Sequence, residues 1–188
     1  MTDDRPQAAT TSTSIRRPFW IAIAIATFVI VADQASKWWA IANLSDGQTI
    51  PVIGDFIRFW LVYNPGAAFG LGTGYAWILA IIAGAAAVAI AIYAWKVQSV
   101  AWTIALGLIL GGAITHFGDR MFRDPGFAHG HVVDFIAYGD WFVGNIADIA
   151  IVGGVAMAVV LVLLKVPNGR DAAVEPSPEP AAPDEIKP

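Results

Sequence analysis

The chain has 188 residues, of which 57% are hydrophobic and 14% charged, and its mean hydropathy of +0.62 lies well outside the range of water-soluble domains. The formal charge of -4 arises from eleven Lys and Arg against fifteen Asp and Glu; no basic stripe is available to neutralise a row of phosphates, so no nucleic-acid partner is expected. The absence of cysteine excludes disulfides, thiolate metal sites, a Cys nucleophile and lipidation of the chain itself, leaving oxygen and nitrogen groups for any chemistry.

In chain order, residues 1–15 are polar and rich in Thr and Ser, which predicts a disordered cytoplasmic tail. A four-helix membrane domain is expected over residues 16–167. Its first span runs from Phe19 to about Leu44. The preceding Arg16 and Arg17 could open a twin-arginine export peptide, but no small-residue cleavage site follows and three more spans do, so an uncleaved helix is the better reading. The run Thr49 to Asn64 is dense in β-branched and aromatic residues and punctuated by Pro51 and Gly54. It is too short to cross a bilayer and reads as a small sheet on the outer surface, followed by a turn at Asn64, Pro65 and Gly66. Tyr75 to Trp95, Val100 to about Phe117, and Trp141 to Val166 supply the other spans, each within a few residues of the ~20 that ~30 Å of hydrocarbon requires. Gly107, Gly111 and Gly112 in the third, Gly84 in the second and Gly153 and Gly154 in the fourth allow close helix approach. Residues 168–188 carry five prolines among acidic residues and read as a second disordered cytoplasmic tail. The fold class is thus an all-α membrane protein, four transmembrane helices with a small β-sheet cradle between helices 1 and 2.

Basic residues set the orientation, because Lys and Arg beside short loops stay cytoplasmic. With the N-terminus inside, Arg5, Arg16, Arg17, Lys96, Lys165 and Arg170 flank the inner face, against Arg58, Arg120 and Arg123 outside. Both termini are therefore expected inside. Trp20, Trp95 and Trp102 then fall at the inner boundary and Trp38, Trp39, Trp77 and Trp141 at the outer one, where indole prefers to lie.

Ionisable groups inside spans are expensive and therefore candidates for function. At ~1.5 Å per residue, Asp33 lies about 21 Å from the inner face, His116 about 24 Å and Asp119 about 28 Å, while Asp148 lies about 10 Å below the outer face when counted from Trp141. The polar groups thus gather in the outer leaflet, which describes a site opening outward. Asp134 sits alone in the apolar run Val132 to Ala137. On one continuous helix it would be about 21 Å from Asp148, but a break at Gly139 and Asp140 can bring the two acids face to face. A poorly hydrated carboxylate pair shares a proton, so one member can take a proton from water while the other polarises a peptide carbonyl. Peptide hydrolysis without metal, serine or cysteine becomes possible.

Blander readings stand beside these. Asp33 and Lys37, four apart with the acid first, read foremost as a structural helical pair and secondarily as a substrate contact. Asp119 and Arg120 fit a solvated helix end as well as a site. Asp134 alone could be a loop acid, and Asn145 could be interhelical glue or an orienting donor. His116, Asp119, His129 and His131 are too irregularly spaced for a metal site, and adjacent Ser36 and Lys37 point apart on a helix, against a serine–lysine dyad. No metal or cofactor is expected. A proton-coupled carrier using Asp33 and Asp148 would need polar groups on both halves of its path, and a purely structural subunit would leave the gathered carboxylates unexplained.

The chain resembles the lipoprotein signal peptidases, or signal peptidase II. The matching pieces are DQASK with Asp33, Gln34 and Lys37; NPGAAFG from Asn64 to Gly70; Gly111 to Ala113 ahead of Asp119 and Arg120; VVDFI from Val132 to Ile136; and NIAD from Asn145 to Asp148. The likeness spans roughly Phe19 to Val166. It implies an inner-membrane aspartic endopeptidase with four spans and a periplasmic β cradle, which removes the signal peptide from diacylglyceryl-modified prolipoproteins just before the lipidated Cys. By resemblance Asp134 and Asp148 are the catalytic dyad, Asn64, Arg120 and Asn145 position substrate, and Asp33, Lys37 and Asp119 support the site. Membrane phospholipid and globomycin-type inhibitors are the further implied partners. The chain departs from the family pattern in Thr115 and His116, where the family usually has Gly and Asn, in a longer Met121 to His131 stretch, and in Gly144, where Phe is usual before Asn145. His116 would then stand where an amide contacts substrate. None of these departures touches the two acids.

Overall fold

The computed structural model describes residues 17–67 and 71–169; the tail expected at 1–15, all of the tail expected at 168–188 except Asn168 and Gly169, and Ala68, Phe69 and Gly70 of the NPGAAFG motif lie outside them. Among the described residues, four helices are long and apolar enough to cross a membrane: α1 (Arg17–Leu44), α2 (Ala76–Lys96), α3 (Val100–Phe122) and α4 (Ile146–Leu163). Four strands, β1 (Thr49–Ile53), β2 (Ile57–Asn64), β3 (Val132–Tyr138) and β4 (Phe142–Gly144), form one antiparallel sheet in the order β1-β2-β3-β4.

Helix α3 is the hub, packing against α1, α2 and α4. Small residues allow this. A Cβ added at Gly111 would lie 2.7 Å from Val29 Cβ and 2.9 Å from the Ala26 carbonyl oxygen of α1, and one at Gly112 would meet Ile151 of α4 at 2.5 Å. Both sides of one helical turn thus press on neighbouring backbones, as close packing in a membrane demands.

The sheet differs from the expected cradle in its extent. Only β1 and β2 come from the segment between the first two helices; β3 and β4 come from the segment between α3 and α4. The apolar run around Asp134 is thus the third strand of the sheet. Its residues Val132 to Ala137 are buried on both faces, which explains why the run is continuously apolar and not alternating. Phe135 and Ile136 join Ala40 and Leu44 of α1 in a buried cluster, with Phe59, Leu61 and Ile146 packed on it. That cluster fixes the sheet on one end of the bundle.

Two span boundaries are corrected. The fourth helix starts at Ile146, not at Trp141: Phe142 to Gly144 pair with β3, and Asn145 caps the helix. Asp148 therefore stands in the first turn of α4, and the depth counted from Trp141 no longer applies. The third helix continues to Phe122, beyond the expected end near Phe117, so Asp119 and Arg120 are helical and buried, not a solvated terminus.

Candidate active site

Antiparallel pairing sets Val62 opposite Asp134 and Asn64 opposite Val132. Because side chains alternate along a strand, Asn64 lies on the same face of β2 as Val62, diagonal to the acid. Its Nδ2 donates to Asp134 Oδ2 at 2.9 Å, while its Oδ1 accepts the Gly66 backbone N–H at 3.0 Å. That second bond fixes the amide orientation, since only the oxygen can accept.

Asn145 does the same from the other side. Its Oδ1 accepts the Asp148 N–H at 3.1 Å and its Nδ2 donates to Asp134 Oδ1 at 2.6 Å. The Asn145 backbone N–H donates in turn to Asp148 Oδ2 at 2.9 Å, so Asn145 and Asp148 form a reciprocal capping box at the start of α4. One residue thereby links the two acids: its side chain holds Asp134 and its main chain holds Asp148. The helix N-terminus also faces Asp148 with its positive dipole end. A side chain at Gly144 would put its Cβ 2.9 Å from Asp148 Oδ2, so glycine leaves the room that this carboxylate occupies.

Behind the acids lies a buried ionic network. Lys37 Nζ stands 2.6 Å from Asp33 Oδ2 and 2.8 Å from Asp119 Oδ2, with all three side chains essentially excluded from solvent. Asp33 Oδ1 accepts the Ala147 N–H at 2.9 Å, and Asp119 Oδ2 accepts the Val133 N–H at 3.4 Å. These are the residues immediately before Asp148 and Asp134. The helical pair read from the sequence is thus real, and it also grips the backbone on which each acid stands. Asp119 Oδ1 binds Arg123 Nε at 2.6 Å and Gln34 Nε2 at 3.1 Å, while Arg120 donates to the Pro65 and Gly66 carbonyls.

Sequence reasoning missed Arg123, although its i,i+4 spacing from Asp119 was a usable signal. It also missed Gly130, whose N–H donates to the Arg120 carbonyl at 2.9 Å and whose Cβ, if present, would run into the Asp119 carbonyl oxygen. This contact folds the Met121 to His131 stretch back onto the end of α3. His116, by contrast, joins the site, with Nε2 3.1 Å from Asp148 Oδ1. His129 does not: it bonds the Phe127 carbonyl in the exposed loop. Among the described residues no three His, Asp or Glu converge as metal ligands would, and Ser36 bonds the Asp33 carbonyl.

Asp134, Asp148, Asn64, His116 and Arg120 all line one cavity of about 370 Å³, whose other walls include Leu79, Ile82 and Ala83 of α2 and Val152 of α4. Burial raises the Asp134 carboxyl to about 6, with the nearby Asp148 charge adding to it and the Asn64 and Asn145 amides opposing it. The cavity thus combines convergent polar groups, a carboxyl able to keep its proton in mild acid, and an apolar wall.

An apolar bundle with such a cavity at its sheet end defines a membrane enzyme. Two solved structures, each described as a bacterial membrane enzyme structure by the in meso method, share the fold, with TM-scores of 0.65 and 0.64 at 29% and 30% identity, covering 84% and 78% of this chain and 93% and 94% of theirs. A lipoprotein signal peptidase of Bifidobacterium longum subsp. infantis is 41% identical over 155 residues, 82% of this chain and 85% of its own. One of Mycobacterium avium is 44% identical over 139 residues, 74% of this chain and 76% of its own. Residues 25–164 match the family model of signal peptidase (SPase) II; the chain belongs to that family and is a lipoprotein signal peptidase.

Proposed function

We propose that this peptidase is of the aspartic type and works at the membrane boundary, removing the signal peptide from prolipoproteins whose Cys carries a diacylglyceryl group and cutting just before that Cys. The observation that carries the reading is the double grip of Asn145, at 2.6 Å on Asp134 and 2.9 Å on Asp148, which commits two acids from distant segments to one cavity. In this mechanism Asp148, facing a helix N-terminus and two N–H donors, takes the proton of the attacking water. Asp134, the acid that burial keeps protonated to about 6, donates its hydrogen bond to the scissile carbonyl and then gives its proton to the leaving amide nitrogen as the tetrahedral intermediate collapses and the C–N bond breaks, leaving the pair with the one proton that Asp148 took from water. Asn64, Asn145 and Arg120 orient the peptide, and Asp33, Lys37 and Asp119 hold the two acid-bearing segments in register.

The apolar wall of α2 and α4 in the same cavity supports an amphiphilic substrate, with the acyl chains lying along Leu79, Ile82 and Val152 among membrane phospholipid. Globomycin-type compounds would compete for that space. Lys and Arg distribution supports a multi-pass protein of the inner, cytoplasmic membrane with both termini cytoplasmic and the sheet end periplasmic. The test is conversion of a diacylglyceryl-modified precursor in detergent: Asp134→Asn and Asp148→Asn should each lower kcat by about 10³-fold or more. Near-wild-type turnover in either variant would overturn the dyad, and equal cleavage of an unlipidated precursor would overturn the substrate assignment.

A further inference from the structure

Asp148 is held at both oxygens. Oδ2 takes the Asn145 N–H at 2.9 Å and Oδ1 faces His116 Nε2 at 3.1 Å. An ionised carboxylate can only accept, so the proton of that contact resides on Nε2 whether the ring is neutral or charged. An imidazole, unlike an amide, exists both as a neutral and as a cationic donor. The ring lines the same cavity as both acids.

We infer that His116 is a positioning residue for Asp148: its Nε2–H fixes the Oδ1 side of that carboxylate, and the charge on its ring sets the pH range over which the two acids share one proton. The inference rests on the dyad reading above. The groups that face the ring are few. Among the described residues that line the cavity with the ring, Asp148 comes from α4, Asp134 from β3 and Arg120 from one turn further along α3, while α2 contributes the apolar Leu79, Ile82 and Ala83, and β2 the uncharged Asn64; the Asp148 charge also acts on Tyr138 of β3, and from α1 the Lys37 charge reaches Asp148. A cation on His116 favours the ionised form of the neighbouring acids, and its field extends to Asp134. Taking that charge away lets the pair keep its proton to higher pH.

The experiment compares wild type with His116→Gln, whose amide nitrogen reaches about as far as Nε2 but never ionises, His116→Asn, and His116→Ala, measuring kcat and KM for a lipidated precursor from pH 4.5 to 8.5. Both amide variants should move the pH optimum upward by about one unit, with kcat at the new optimum within about tenfold of wild type. The alanine variant, lacking the donor as well, should fall by a further factor of roughly ten, mainly in kcat. His116→Asn serves if His116→Gln does not fold. Amide-variant profiles superimposable on wild type would overturn the charge role, and wild-type kcat in His116→Ala would overturn the positioning role. Turnover retained by Asp148→Asn would instead remove the dyad reading beneath both, so the two failures are distinguishable.

Discussion

The two ends of the bundle hold together by different physics. At the end away from the sheet, Ala22, Ala94, Val97 and Leu106 form an apolar cluster, and the buried Thr103 donates to the Ser99 carbonyl one turn back in its own chain segment. At the sheet end Asp33, Lys37, Asp119, Arg120, Asp134 and Asn145 are all buried. Apolar packing of small residues is enough to join helices, so the charges at the sheet end are not required for a bundle. They are concentrated where irregular backbone, at the start of β3 and of α4, must be held at fixed positions, and each ionic group there has a partner, as buried charge requires.

The ionic end is most vulnerable at Lys37, which pairs with both Asp33 and Asp119. Lys37→Met leaves Asp33 buried without its cation and Asp119 with Arg123 alone, and should destabilise the fold by about 3–5 kcal/mol, read from denaturation in mixed micelles. The double variant Lys37→Met with Asp33→Asn should recover part of that loss, and strict additivity of the two would refute a shared network.

Asp134 should make the sheet end sensitive to pH. The native state keeps its proton to about 6 while the unfolded chain releases it near 3.8, so between those values the folded protein binds more protons and its stability falls as pH rises. The effect amounts to at most about 3 kcal/mol. Unfolding midpoints measured from pH 4 to pH 8 should decline more steeply for wild type than for Asp134→Asn; parallel curves would contradict it.

Steric packing is tested at Gly111. An added Cβ meets Val29 at 2.7 Å, so Gly111→Ala should cost about 1–3 kcal/mol through separation of α1 and α3, with KM for the precursor little changed. The smallest effect is expected at Asp140. Its pair with Arg58 at 2.8 Å is 94% exposed on the acid side, so Asp140→Asn should alter neither the unfolding midpoint nor turnover measurably.

Much of this was legible from composition and spacing. The four spans, the β-rich segment after the first helix and the Asp33–Lys37 pair follow from apolar run length, β-branched density and i,i+4 order, all of which are local properties. The start of α4 was not legible, because Trp141, Phe142 and Val143 are as apolar as the helix that follows. Only their pairing with β3 removes them from it. Likewise the Val132 to Ala137 run is equally apolar as a dipping loop or a buried strand until β2 and β4 are known to flank it.

The sequence by itself therefore determined that this chain is a membrane bundle, which residue types could do chemistry, and the family to which they correspond, because hydrocarbon thickness and charge desolvation act on each segment separately. The tertiary structure alone decided that Asn145 joins Asp134 to Asp148, that Asp33 and Asp119 hold the amides just before those acids, and that His116 meets one of them. Apart from the local cap between Asn145 and Asp148, those contacts span 11 to 114 residues of chain, and no periodicity in sequence encodes a meeting set by how sheet and helices pack.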